Sequence, residues 1–490
     1  MGVRRRFAGL PGAALSRFGS QHARLLIPAL RADRNGDFGS SSGFIKRALA
    51  KGVGGFILFG GGAASVFTLI NQLRASSPNP LLICSDLERG AGQQFSGATP
   101  LPPAAAIASL GDLSATRRAG ETTAREAHAI GIDCIFAPVA DIDLEPLNPI
   151  IGTRAFGETP SQVTAQITAW MEGCHEGGCI ACAKHFPGHG RTTGDSHLVL
   201  PTVYSSAAEL ELDLDPFRAL ISGGLQAVMT AHVAYFAYDR SGAPATLSPA
   251  ILNDLLRENL GFGGVVITDG LSMAGLTNDL TESEAAVAAL HAGCDLLLYP
   301  SDLEAVLSGV SGAMDDGSLH SDRIAEGVAR LDEVLRGRHP TLGEWGLAAD
   351  RDWARDLALR TITILAGEPR LKPTPLRLVQ VDDDRRASVQ PSSRPLAKVL
   401  AEEGFELSAS GQTLIAIYAD VHAGKATSGI SAEALAVVEQ ELSSAPEAIV
   451  ILFGHPRLQR QLAKVKHLLC AWGGEPIMQR AAARRLRSTA

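Results

Sequence analysis

Eight short runs of apolar, largely β-branched residues recur along the first two-thirds of the chain. Each is followed by enough residues for a helix, and this rhythm restricts the fold more than any other feature. The runs are LLIPAL at 25–30, VGGFILF at 53–59, LLICSD at 81–86, CIFAPVAD at 134–141, CIACAKHF at 179–186, AVMTAH at 227–232, GVVITD at 264–269 and DLLLYP at 295–300. Near-continuous apolar strands imply burial on both faces, the mark of a parallel sheet covered by helices. Between them lie helical patterns such as EAAVAALHAG, in which Gly293 is placed to end the helix before the next strand. Eight such units over about 300 residues predict an α/β fold of the (β/α)8 barrel type, TIM-like, in which chemistry sits at the carboxyl ends of the strands. Asp86, Asp141, Lys184, His185, His232 and Asp269 fall at those ends. Any one of them could simply mark where a strand enters a loop. The set has no such packing reason.

After about residue 340 the pattern changes. RGRHPTLGEWG reads as a loop, a helix is expected over roughly 350–366, and GEPRLKPTP reads as a linker. LRLVQVDDD, TLIAIYAD, AIVILFG and HLLCAWG then give about four more buried strands. The expected organisation is a catalytic barrel over 1–345, a helix and linker over 346–372, and a smaller α/β sandwich with an open sheet over 373–490.

With 490 residues, 46% of them hydrophobic, the chain has ample material for two cores. A formal net charge of −8 argues against a nucleic-acid or anionic-membrane partner, because a phosphate backbone needs a positive footprint. No run approaches the roughly 18 apolar residues of a spanning helix. The opening MGVRRRFAGLPGAALSRFGSQ has the basic start of a secretion signal, but its apolar stretch is broken by Gly9, Pro11 and Gly12. The seven scattered cysteines are not a disulfide framework, so a reducing cytoplasm is the expected compartment.

The densest chemistry is KHFPGHGRTTGDSH, Lys184 to His197. A zinc site could draw on Cys174, His175, Cys179, Cys182, His185 and His189. Structural zinc, however, usually takes paired half-sites with turns between them. Cys179 and Cys182 flank two residues of an expected strand, which points their side chains to opposite faces. Buried cysteines acting as small hydrophobes fit better. The loop lacks the Gly-Lys-Ser/Thr ending of a phosphate cradle. No metal and no cofactor are therefore expected. Acid–base chemistry fits: Asp195 and His197 stand two apart, on one side of an extended segment, and a carboxylate beside an imidazole fixes its tautomer and favours its charged form. Asp269, at the end of another strand, supplies a second carboxylate. A positioned carboxylate opposite a proton donor is the minimum apparatus for breaking a glycosidic bond.

FAPVADIDLEPLNPIIGTRAFGETP, AKHFPGHGRTTGDSH and VVITDGLSMAGL, in that order, resemble glycoside hydrolase family three, and within it the β-N-acetylglucosaminidase branch. The resemblance covers roughly 20–340, and the C-terminal part resembles the α/β sandwich that many members append. It implies that Asp269 is the nucleophile and that His197, oriented by Asp195, is the acid and then the base, with retention of the β configuration. It also implies that Asp86, Arg154, Lys184 and His185 hold sugar hydroxyls, while His189 shapes the loop. The implied partner is a small saccharide, an N-acetylglucosaminide, with the muropeptides of cell-wall recycling included. Neutral imidazole also repels anions less than carboxylate does, so phosphate is expected to compete with water as acceptor.

One segment departs from the family. SDLERGAGQQF stands where the recycling enzymes typically read Asp-x-Glu-Gly-Gly-Arg-Val, so Arg89 comes early and Ala91 takes the usual arginine position. A family-three β-glucosidase or β-xylosidase is the alternative within the family. Such an enzyme would need an acid from elsewhere, and Glu402, Glu403, Asp420 and Glu439 look like ordinary surface or strand-end residues. A zinc-dependent hydrolase and a sugar-binding protein without catalysis are the alternatives outside it.

Overall fold

The computed structural model describes residues 21–487 apart from 279, 339–342, 373, 387–393 and 423. The basic opening stretch and part of the loop after residue 335 lie outside the described residues.

Each of the eight apolar runs carries a strand. They are β1 (Leu26–Ile27) and β2 (Ala29–Arg31) from the first run, β3 (Gly55–Phe59), β4 (Leu82–Ser85), β5 (Cys134–Ile135), β6 (Ile180–Phe186), β8 (Ala227–Thr230), β10 (Val265–Ile267) and β11 (Leu297–Leu298). All neighbours pair in parallel. The first run splits at Pro28, which has no N–H to give. Ahead of it, Leu26 and Ile27 pair with Leu297 and Leu298. Behind it, Ala29–Arg31 pair with Ile57–Phe59. A bridge from Ile267 to Leu296 joins the last two strands, so the ring closes as a TIM-like barrel.

Local chemistry sets the helix ends. Thr281 and Glu284 form a reciprocal capping box that opens Glu282–Ala292, and Gly293, at φ 122°, ends it as the sequence suggests. Ser206 and Glu209 do the same for Ala207–Ser222. The interior is packed with fully buried Leu, Ile, Val and Phe, each contributing about 1.5–3 kcal/mol relative to exposure. Two short strands, β7 (Thr202–Val203) and β9 (Ala234–Tyr235), pair beside the mouth.

Among the described residues the second sheet has five strands where about four were expected, in the order β12 (Thr363–Ala366), β16 (His467–Cys470), β15 (Ile449–Gly454), β14 (Gln412–Ala419) and β13 (Leu376–Asp382). The single helix expected over 350–366 is corrected. The helix is Ala348–Thr361, and the β-branched run after it forms β12, antiparallel on the edge of the sheet. Along β14, Leu414, Ala416 and Tyr418 face one core while Ile415, Ile417 and Ala419 face the other, so helices cover both sides. The carboxyl ends of these strands turn toward the barrel mouth, where Asp420 meets Thr153 and Arg89 of the barrel.

Candidate active site

Asp269 follows β10 at the mouth. Its Oδ1 accepts the N–H of Gly270 at 2.7 Å. Burial alone would raise its pKa, but the nearby His232, His185 and His197, together with the Gly270 amide, bring it down to about 2. His232 is buried and held by Thr246 Oγ1 at 2.7 Å and by the Gly270 carbonyl at 3.1 Å.

Across the mouth, a charged ladder joins three strand ends. Lys184 Nζ reaches Asp86 Oδ1 and Glu88 Oε1, each at 2.7 Å. Arg154 clasps Glu88 through Nε at 2.9 Å and a terminal nitrogen at 2.8 Å. Burial would raise the Glu88 carboxyl, and the two cations instead hold it well below the usual range. The same carboxylates raise Lys184 against its own burial. Asp86 is the open member, with 30% of its side chain exposed against 3% for Lys184.

The loop after β6 is gripped by Asp141, which is fully buried. Its oxygens accept His185 N–H, approach His185 Nδ1 at 2.7 Å and accept His189 N–H at 2.6 Å. His189 is buried, set between Thr192 Oγ1 and Ser196 Oγ, and burial lowers its pKa to about 4. Further on, Asp195 Oδ1 accepts the N–H of His197 and meets its Nδ1, both at 2.9 Å. These residues form an Asx turn rather than the extended segment expected. The short carboxylate reaches the backbone two residues on, which brings the imidazole to the same oxygen. Ser196 is tied to the Asp269 segment, its carbonyl accepting the N–H of Gly275 at 3.0 Å. His197 keeps 34% of its side chain exposed, whereas Asp195 keeps 1%.

The pattern of the Glycosyl hydrolase family 3 N terminal domain matches residues 44–334. The chain belongs to glycosyl hydrolase family 3. A Beta-hexosaminidase of Methylococcus capsulatus is 40% identical over 308 residues, 61% of this chain and 91% of that protein. A Beta-N-acetylglucosaminidase/beta-glucosidase of Cellulomonas fimi is 35% identical over 351 residues, and the chain spans only 62% of its length. The solved family 3 β-N-acetylglucosaminidase from Paenibacillus sp. str. FPU-7 superposes with a TM-score of 0.81 at 28% identity, covering 96% of this chain and 97% of that one. The chain is thus a glycoside hydrolase of family 3 with a barrel and a second α/β domain.

In this family 3 chain the residues singled out from the sequence gather at one mouth: Asp86, Lys184 and Arg154 in the ladder, His185 on Asp141, Asp195 with His197, and Asp269. Arg154 is less free than expected, since Glu88 and the Ile150 carbonyl take three of its five N–H groups. Glu88 is the residue that sequence reasoning left without a role. Its signal was its place two residues after Asp86. Arg31 was missed as well: its guanidinium lies over the ring of Phe59 at 4.0 Å and bonds Tyr299 Oη at 3.1 Å. Tyr299 lies beside Gly270. The early Arg89 now has an explanation, because it pairs with Asp420 and Glu475 of the second domain.

The residues of the zinc alternative do not converge. Cys179 gives its thiol to the carbonyls of Ala124 and Ile132 at the start of β6, while His185 and His189 are held at its far end. Among the described residues, the one cluster with metal-ligating spacing is Asp143, Glu158 and His455. The Arg457 guanidinium already pairs with both of its carboxylates.

Proposed function

We propose that this chain is a retaining, exo-acting β-N-acetylglucosaminidase (β-N-acetylhexosaminidase) that removes terminal β-linked N-acetylhexosamine. In the first step an Asp269 oxygen attacks the anomeric carbon, the bond to the leaving oxygen breaks, and His197 gives that oxygen its proton. In the second, neutral His197 takes a proton from water as the water oxygen displaces Asp269, and two inversions give net retention. Asp195 keeps the imidazole in one tautomer and stabilises its charged form. Asp86, Lys184, Arg154 and His185 are assigned to the sugar hydroxyls, with Glu88 holding the two cations apart from the nucleophile.

The observation that carries this reading is the His197–Asp195 pair, 2.9 Å apart, on a turn bonded to the Asp269 segment. The name of the Paenibacillus relative supports the N-acetyl sugar, and that of the Methylococcus relative supports a hexosaminide. A β-glucosidase with an acid from the second domain finds less support. Glu402 and Glu403 pair with Arg480 and Arg484, Glu439 with Lys464, and Asp420 with Arg89. We place the work in the cytoplasm, on cell-wall fragments including muropeptides. All seven cysteines are free and buried, which suits a reducing compartment. No helix among the described residues is long and apolar enough to cross a membrane.

The test is hydrolysis of 4-nitrophenyl β-N-acetylglucosaminide by the wild type, Asp269→Ala and His197→Ala, with the β-glucoside alongside. Turnover of the N-acetyl substrate and collapse of both variants uphold the assignment. Preference for the glucoside removes the N-acetyl specificity, and a fully active His197→Ala removes the acid role. Glycosyl phosphate among the products at high phosphate would make phosphate the acceptor, and free sugar alone makes it water.

A further inference from the structure

Asp195 has two oxygens, and only one is held by its own loop. The other, Oδ2, accepts the backbone N–H of Gly424 at 2.8 Å, from the second domain and 229 residues further along the chain. A carboxylate torsion is broad and two-fold when nothing fixes it. Bonds at both oxygens remove that freedom and present Oδ1 to His197 in one orientation.

The donor is itself held firmly. Gly424 has a φ of 76°, in the left-handed region that glycine adopts without strain. The next residue, Lys425, is buried, with its ammonium 3.0 Å from Asp384 Oδ1 and 2.9 Å from the Asp420 carbonyl. Asp384 also takes the N–H of Asp420 at 3.0 Å and Arg394 at 2.8 Å, and His422 Nε2 lies 3.2 Å from it. Asp420 in turn accepts Thr153 Oγ1 of the barrel at 2.6 Å and pairs with Arg89. Ser428 Oγ gives a hydrogen bond to the Pro146 carbonyl, closing the loop over the barrel from its far side. A buried charge is costly unless partnered, and Lys425 has partners in Asp384 and the Asp420 carbonyl. Burial raises the Asp195 carboxyl, and the His197 bonds and the Gly424 amide more than offset this, keeping it ionised.

The geometry points to Gly424 and Lys425 as positioning residues for proton transfer: Lys425 fixes the loop, the Gly424 amide fixes Asp195, and Asp195 fixes His197. The second domain is then a working part of the acid–base half of the reaction and leaves the nucleophile untouched. This rests on the assignment of His197 and Asp195 as the acid–base pair.

The two halves separate by leaving group. A dinitrophenolate departs without protonation, whereas a phenolate needs the acid. We would measure kcat/KM for the 2,4-dinitrophenyl and phenyl β-N-acetylglucosaminides with the full-length wild type, His197→Ala, Lys425→Met and Gly424→Ala. The expected result for Lys425→Met and Gly424→Ala is a loss of about tenfold or more on the phenyl substrate, with the dinitrophenyl substrate within about twofold of wild type. The dinitrophenyl rate also reports that the barrel is folded, and Gly424→Ala, which strains the backbone at φ 76°, stands in if the buried lysine cannot be replaced. Equal losses on both substrates, or none on either, overturn the inference while His197→Ala still shows the leaving-group split. If His197→Ala itself lacks that split, the acid assignment falls first and the positioning role with it.

Discussion

The two sides of the mouth are built in opposite ways. On the side of the proposed nucleophile, Asp269 stands at a strand end and is fixed by the amide of the very next residue, with His232 from the neighbouring strand end close by. On the side of the proposed acid, His197 rides a long loop that combines local bonds with distant anchors: Asp141 from another strand, Tyr235 Oη on the Gly188 carbonyl, and the Gly424 amide from another domain. A nucleophile needs one place and one charge state. An acid–base group must give up a proton and take one back, so its surroundings must permit both forms, and an assembled loop with partial exposure provides that.

The largest effect expected from breaking this contrast is Asp269→Ala, a fall in kcat of at least about 10⁴-fold on every substrate irrespective of leaving group. His197→Ala should lose about 10²–10⁴-fold, and only where the leaving group needs a proton. Stopped-flow and steady-state rates across a series of aryl glycosides would check both. Equal dependence on leaving group in the two variants would erase the division of labour.

The pH profile sharpens the same contrast. Against its burial, the nearby histidines and the Gly270 amide bring the Asp269 pKa down to about 2, so this carboxyl is ionised above about pH 4. Any acidic limb of kcat/KM above about pH 4 belongs to another group and should persist unchanged in conservative variants around Gly270. In Asp195→Asn the imidazole loses the carboxylate that orients it, so kcat/KM should fall where the leaving group needs a proton and hold where it leaves unaided. An equal loss on both kinds of substrate would detach Asp195 from the proposed acid.

Glu88→Gln tests the ladder that both sides share. The substitution leaves Lys184 and Arg154 together without their common anion, and removing one member of a buried charge cluster costs about 3–5 kcal/mol. A clear drop in Tm, with KM raised more than kcat is lowered, is expected from calorimetry and kinetics. An unchanged Tm would mean that Asp86 alone suffices.

How much of this could be read from the sequence follows the same division. The barrel strands were legible because burial on both faces writes itself as an apolar run, and the place of Asp269 at the mouth was legible because it ends one. β12 was misread as the end of a helix, although Ile362, Thr363 and Ile364 give a β-branched signal directly after Thr361. Asp195 and His197 were legible as a pair, but the turn that joins them was not, since an Asx turn and a strand both place residues two apart on one side. The Gly424 contact was not legible at all. A backbone amide carries no residue signature, and only the fold of both domains brings it across 229 residues.

The smallest effect concerns a second brace on the acid loop. Asp213, on the helix Ala207–Ser222, packs against Gly188 and bonds Arg191 Nε at 2.7 Å. Burial, only partly opposed by Arg191, raises its pKa from 3.8 to about 6. Between those values the folded chain retains a proton that the unfolded chain has released, so the stability this group gives at low pH is lost as pH rises through that window. Asparagine mimics the protonated carboxyl and has nothing to titrate. The Tm of Asp213→Asn relative to wild type should therefore rise between pH 4 and pH 7, by the equivalent of on the order of 2 kcal/mol. A Tm difference that is flat or falls with pH would show that the Arg191 ion pair outweighs burial. The acid loop would then be braced by charge on this flank, as it is by Asp141 within, rather than by a carboxyl that prefers its proton.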